Sequence, residues 1–327
     1  MGFKKIVVVF CSKIMAYGVL TTLLAGQANA ETFPSKPIRL IVPLPGATDV
    51  ICRTLAEKLR VSLGQPVILE IKAGAGTTVA SAFVASAPAD GHTLLCGVSA
   101  FLTAPHYFPE AHYDPVSDFA PVILLVKVAH TLLIRSDLPI TNVRELIAYA
   151  SANPNKLTFG SSGVGTSNYL GAALFQNMAR VKMLNVPYKG GGPALQDLVG
   201  GQIDLLFDVP QGGLPFVKNG KLRALGVTTE DRLAAFPDWP TISESGVPGY
   251  ASFPWAGILA PANTPPEIVK RLNQAVQEAL NTPEIQARYK EMGLAISGGS
   301  PEQFSNFMEQ ESKKWKPLIE RLKKDGL

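Results

Sequence analysis

Apolar runs a strand long alternate with stretches in which apolar positions recur every three or four residues, and the alternation holds for most of the chain. Residues 38–42 read as a strand. Residues 49–63 read as a helix with Ile51, Leu55 and Leu59 on one face and Gly64 as its stop. Strands are predicted at 67–71 and 93–96, separated by the turn Gly74-Ala75-Gly76 and a small-residue helix. A second unit starts near Thr131, with a strand over 132–134 and a helix opened by Thr141 or Asn142 and closed by Asn153-Pro154. It continues through strand-like 157–159, a glycine-rich loop, strands near 183–186, 203–207 and 222–227, and a short helix over 194–199. Beyond Pro254 the pattern reads as helical, with Ile268, Leu272, Val276 and Leu280 on one face. Thr264-Pro265-Pro266 opens that helix, and Thr282-Pro283 and Ser300-Pro301 open two more, each pairing a cap with proline in the first turn. These patterns predict an α/β fold on mostly parallel sheets. If the C-terminal helices pack back on the first unit, 31–130 joins 254–327 as one domain and 131–253 forms the other. The chain then crosses between domains twice, and the two crossings form a hinge.

Ligands of open α/β sheets sit at the carboxyl ends of the strands, which directs attention to the loops 43–48, 97–101 and 160–166. The last reads Gly-Ser-Ser-Gly-Val-Gly-Thr and runs into an apolar helical stretch. Glycines let the backbone approach a ligand, hydroxyls donate, and the free N–H groups of a first helical turn carry partial positive charge. The loop therefore points to a small anion. Three better-known motifs each fail here by one position. A phosphate-binding P-loop needs Lys where Thr166 stands, a dinucleotide fingerprint needs a small residue where Asn168 stands, and a nucleophile elbow on Ser162 needs glycine where Val164 stands.

Lys4, Lys5, an apolar stretch over 14–25 and Ala28-Asn29-Ala30 form a secretory signal over residues 1–30 with a small-x-small cleavage site. A retained membrane anchor is the alternative, against which the shortness of the apolar run argues. Loss of Lys4, Lys5 and Lys13 with no acidic residue lowers the formal charge from +4 to +1. No cluster of five or more cations follows, so nucleic acid is not an expected partner. The four histidines lack zinc spacing, and neither metal nor cofactor is expected. Cys52 and Cys96 remain after the leader, in an oxidising compartment, and each reads singly as a small buried hydrophobe.

Phe33 to Arg39, Ala47-Thr48-Asp49-Val50, Gly74 to Thr77, Ala89 to Leu95, Tyr113 to Val122, the Gly160 to Thr166 loop, Val186 to Gly190 and Gly200 to Asp204 together resemble one family over nearly the whole mature chain. It is that of the periplasmic solute receptors of tripartite tricarboxylate transporters, the Bug family. The resemblance implies a type II periplasmic binding protein, a monomer of two α/β domains that close on a carboxylate and deliver it to membrane permease subunits. By position, Leu44, Pro45, Gly46, Ala47 and Asp49 form the first ligand loop with Ser99 and Ala100 beside it. Ser161, Ser162, Gly165, Thr166 and Asn168 contribute from the second domain, and Tyr188 and Asp208 line the cleft. Asp49 reads better as a brace of its helix than as a contact to an anionic ligand.

The chain departs from the family's pattern in two places. Its first loop is about two residues short, with Leu44 where relatives carry an aromatic residue, and Cys52 and Cys96 replace small or apolar residues. Paired novelty in an exported chain implies a disulfide bracing the shortened loop. Two other functions stay open: a sensor that presents its ligand to a signalling partner, and a secreted hydrolase using Ser161 or Ser162. The hydrolase lacks a recognisable base and acid partner.

Overall fold

The structure is a computed structural model that describes residues 33–44, 47–108 and 110–324. The expected leader lies outside the described residues, as do Pro45 and Gly46 of the first loop. In chain order the first part runs β1 (Ile38–Val42), α1 (Ala47–Leu63), β2 (Val67–Ile71), α2 (Thr78–Ala85), β3 (Thr93–Val98), α3 (Ala100–Tyr107) and β4 (Phe119–Val128). The middle runs β5 (Thr131–Arg135), α4 (Val143–Ala152), β6 (Thr158–Ser161), α5 (Ser167–Ala179), β7 (Leu184–Pro187), α6 (Gly191–Val199), β8 (Leu205–Asp208), α7 (Pro210–Lys218) and β9 (Leu222–Val227). The last part runs β10 (Trp255–Pro261), α8 (Pro266–Leu280), α9 (Pro283–Glu291), β11 (Leu294–Gly298) and α10 (Pro301–Lys324).

Two sheets result, ordered β11-β4-β10-β3-β1-β2 and β7-β6-β8-β5-β9. Each has a parallel part, where β1 pairs with β2 and β3 and β6 pairs with β7 and β8. Antiparallel pairing enters with β4, β5, β9 and β10, the strands by which the chain leaves one sheet for the other, and with the edge strand β11. The fold is therefore α/β with mixed sheets, parallel where helices cross over from strand to strand.

Two of the helix signals act as their chemistry dictates, whereas the Thr282 hydroxyl does not cap α9 and donates back to Ala279 O at 2.8 Å. Asn142 Oδ1 accepts from Glu145 N at 3.0 Å, capping α4, while the Glu145 carboxylate accepts from Thr141 N at 2.7 Å. Ser300 and Gln303 exchange side-chain and backbone bonds at the head of α10, a capping box. The stretch beyond Pro254 is not helical throughout, however. β10 and β11 interrupt it, and β4 is a third strand that the periodicity does not announce. The β10 residues Trp-Ala-Gly-Ile-Leu-Ala-Pro are all buried, because β10 lies between β3 and β4 with both faces covered. A strand so placed has no polar alternation to betray it.

Ile41, Leu95, Phe101, Trp255, Leu259 and Phe304 belong to the core against the first sheet. Leu132, Phe159, Phe175 and Phe207 belong to the larger core against the second. Helix α10 serves both: Phe304 and Met308 pack in the first, and Trp315, Leu318, Ile319 and Leu322 in the second. Its last turns thus differ from the expectation that the entire C-terminal stretch sits on the first unit, since its apolar stripe is long enough to reach the neighbouring core. Cys52 on α1 and Cys96 on β3, both fully buried, are joined in a disulfide with Cα atoms 6.7 Å apart.

Candidate functional site

Four strands pass directly into helices at one end of the sheets: β1 into α1, β3 into α3, β6 into α5 and β8 into α7. A cavity of about 600 Å³ opens among those connections. Thr48 comes from the first turn of α1, Ser99 and Ala100 from the head of α3, Thr166 and Ser167 from the head of α5, and Gln211 from the first turn of α7. Each helix N-terminus leaves N–H groups without an intrahelical acceptor and carries partial positive charge. Among the described residues lining the cavity, none is Lys or Arg. The one carboxylate, Glu291, is exposed and lies 3.4 Å from the Arg288 guanidinium. The electrostatic character of the cavity is therefore set by helix ends, an arrangement that accepts an anion without a cationic side chain.

The floor is formed where the chain crosses between sheets. The first crossing joins β4 to β5 through Ala129 and His130, and the second runs from Thr228 to Pro254. They are stitched together: Val128 N donates to Pro254 O at 2.7 Å, Thr228 N to His130 O at 2.9 Å, and His130 N to Thr228 Oγ1 at 3.0 Å. His130, a lining residue, is buried, and burial alone lowers its pKa to about 4 from the usual 6.5. It presents a neutral imidazole to a ligand at neutral pH. The unfolded chain takes up this proton near pH 6.5 and the folded chain only near pH 4, so stability is lost as pH falls through that window. The expected slope from this residue is up to about 1.4 kcal/mol per pH unit. Urea unfolding of the wild type and of His130→Asn between pH 7 and 5 measures it. Parallel stability profiles for the two proteins would show that His130 does not carry the effect.

The glycine-rich loop shapes the wall on the second-sheet side. Gly165 has φ +83°, and a Cβ there would stand 3.3 Å from the ring of Tyr107, the last residue of α3. Glycine is required twice over, for the backbone angle and for the approach of the loop to α3. Asn168 holds the loop from behind: its Oδ1 accepts from Ser162 N at 3.2 Å and Thr166 Oγ1 at 2.7 Å, and its Nδ2 donates to Ser162 Oγ at 3.1 Å. Ser161 is fully buried at the end of β6, where its Oγ accepts from Gly163 N at 3.2 Å.

Of the residues singled out from the sequence, Leu44, Ser99, Ala100, Gly165 and Thr166 line the cavity. Ser161, Ser162 and Asn168 are not on its lining, since their polar atoms are turned into the loop. Asp49 lies within α1 and pairs with Arg53 one turn on, at 2.9 Å. The Tyr188 hydroxyl donates to Asp197 at 2.8 Å, and burial with this partner raises its pKa to about 12. Asp208 sits against Gly191 and Gly212, with burial raising its carboxyl above the ordinary range. Ala47 opens α1 beside the undescribed Pro45 and Gly46. Sequence reasoning missed the crossing residues His130, Ser252 and Phe253, the β10 residue Trp255, Met292 and Leu294 near β11, and Trp315 of α10. The two crossings were the available signal for the first three. The others required the positions of β10 and β11.

Residues 51–324 match the profile of the tripartite tricarboxylate transporter family receptor, TctC. The chain superposes on the periplasmic binding protein BugD with TM-score 0.68 at 34% identity, covering 90% of this chain and 99% of that one. It superposes on Rpa4515 of R. palustris, solved with adipate, with TM-score 0.70 at 34% identity, over 88% of this chain and 97% of that one. MatC of Rhodopseudomonas palustris, solved with bound malate, gives TM-score 0.70 at 33% identity, over 88% of this chain and 100% of that one. The fold is accordingly that of the periplasmic binding proteins, and the chain belongs to the TctC family of tripartite tricarboxylate transporter receptors, to which the Bug proteins are also related.

Proposed function

We propose that this protein is an exported, non-catalytic receptor that captures a small carboxylate in the cavity between its two sheets and hands it to the permease subunits of a tripartite tricarboxylate transporter. The observation that carries the reading is the convergence of four helix N-termini on one cavity with no Lys or Arg on its described lining. Several charge-assisted bonds from backbone N–H groups replace a cation and hold a carboxylate by its shape. Adipate in one relative and malate in another support the same ligand class.

In this reading Ser99, Ala100, Gly165 and Thr166 touch the carboxylate, and Leu44 completes the wall. Asp49, Ser161, Ser162 and Asn168 hold the loops in place, while Tyr188 and Asp208 support the second wall. The segment 131–253 closes on 31–130 with 254–327 about the stitched crossings, and the closed monomer is what the permease recognises. A leader over residues 1–30 directs it to the periplasm.

Thermal unfolding of residues 31–327 against mono-, di- and tricarboxylates, aromatic acids and amino acids tests the proposal. A ligand at a hundredfold excess over its Kd adds about 2.7 kcal/mol, a rise of several degrees for a chain of this size. No rise with any acid would reduce the family likeness to one of fold.

A further inference from the structure

The crossings place at the cavity floor a side chain with nothing to bond. The His130 backbone is committed to Thr228, whose hydroxyl accepts its N–H at 3.0 Å and whose main-chain N–H donates to its carbonyl at 2.9 Å. Its imidazole bonds to nothing among the described residues, although the residue is only 7% exposed and lines the cavity. Buried polar groups are ordinarily paired, and the partner left to this one is whatever fills the cavity. The charged groups on the surrounding elements are engaged elsewhere: Lys127 of β4 with Glu230 at 3.2 Å, Arg232 with Glu244 in the second crossing, Lys314 of α10 with Glu311, and Glu291 of α9 with Arg288 at 3.4 Å. Asp231 and Asp238, the other carboxylates of that crossing, are exposed. Burial alone sets the pKa of His130.

The other polar donors on the lining are neutral. The Trp255 indole N–H is a buried donor without a partner, and Thr48, Ser99 and Ser167 bring hydroxyls. The helix heads add fractions of a charge. A dicarboxylate carries two whole negative charges out of water, and among the described lining residues His130 alone can become a cation to meet them. In a cavity of about 600 Å³ no ligand atom lies far from any wall, and two carboxylates in so small a space raise the proton affinity of a buried imidazole about a hundredfold. We infer that His130 is the side chain by which this receptor favours doubly charged ligands: it takes a proton from solution as a dicarboxylate binds and faces the ligand as imidazolium. The inference rests on the proposed receptor function and adds a proton to its binding step.

Titration calorimetry of residues 31–327 with adipate and malate, in buffers of unlike ionisation enthalpy, tests it, since a proton drawn from the buffer adds the buffer's own heat. At pH 6, above the ordinary carboxylate range, uptake of about half a proton per ligand is expected, falling toward zero at pH 8. Affinity is expected to be about fourfold higher at pH 6 than at pH 7.5. In His130→Asn both the uptake and the pH dependence disappear. No uptake by the wild type, or the same uptake by the variant, overturns the inference. Failure of both acids to bind overturns it too, and the receptor reading falls with it only if no acid raises the thermal midpoint.

Imidazole nitrogen NMR of the wild type supplies a second readout, independent of whether the variant keeps its fold, which thermal midpoints without ligand report. With its resonances assigned through the backbone of residues 129–131, the His130 ring is expected to be neutral in the free protein at pH 6 and to move toward imidazolium positions as adipate is added. Hexanoate, with the same number of carbons and a single charge, is expected to move it less. A ring that stays neutral with adipate bound, or that moves equally with hexanoate, would count against a charge-selecting role for His130.

Discussion

Replacing Cys52 and Cys96 together by alanine lowers the free energy of unfolding by about 4 kcal/mol. The cysteines are 44 positions apart, and closing a loop of that length removes enough freedom from the unfolded chain to stabilise the fold by about that amount. The bond joins α1 to β3, the elements that carry Thr48 and Ile51 on one side of the cavity and lead into Val98 and Ser99 on the other. Its loss therefore also loosens two of the four helix heads relative to each other, and ligand affinity should fall along with stability. Urea unfolding with and without reductant, alongside alkylation of the native protein before reduction, measures the effect. Two thiols open to alkylation without reductant, with an alanine variant within about 1 kcal/mol of wild type, would remove the bond from this account.

The disulfide also shows how far the sequence can be read. Each cysteine taken singly is a small buried hydrophobe, and only their joint departure from the family's pattern suggested a pair. Where local chemistry decides, the reading agrees with the structure. Asn142 and Ser300 cap the helices their positions predict, Pro266, Pro283 and Pro301 open helices, and strand β9 occupies the predicted 222–227. Where tertiary placement decides, the reading fails. β10 is a strand because it is sandwiched between β3 and β4, and nothing within Trp255–Pro261 distinguishes it from a buried helical turn. The same limit applies to the cavity. The helix heads at Ser99 and Thr166 were legible because strand-to-helix loops mark them. The inward turn of Ser161, Ser162 and Asn168 is a matter of side-chain direction, which a motif does not encode. Trp255, Met292 and Trp315 reach the cavity only through the return of the C-terminal part across both sheets.

Glu311 provides the second large effect, because it joins that return to the cavity wall. It lies on α10 and is 5% exposed, its Oε2 accepts from the Trp315 indole N–H at 2.8 Å, and its other oxygen pairs with the Lys314 ammonium. Lys314 in turn donates to Ala251 O at 3.1 Å and stands over the Trp315 ring at 4.7 Å. Truncation at Glu311 strands a largely buried ammonium and an indole donor together. Breaking such a pair from one side costs about 3–5 kcal/mol, more than the intact pair contributes, because the remaining charge keeps only the Ala251 carbonyl and the Trp315 ring and no counter-ion. Glu311→Ala is therefore expected to destabilise the protein by that amount, whereas Glu311→Gln keeps an acceptor for the indole and costs about 1–2 kcal/mol. Trp315 lines the cavity, so the alanine variant should also bind a carboxylate ligand more weakly than the glutamine variant does. Urea unfolding at pH 7 decides the first comparison and calorimetry with adipate the second. If alanine and glutamine prove equally mild in unfolding, the cluster behaves as a solvated surface pair, and the wall at Trp315 is held by the packing of Leu318, Ile319 and Leu322 alone.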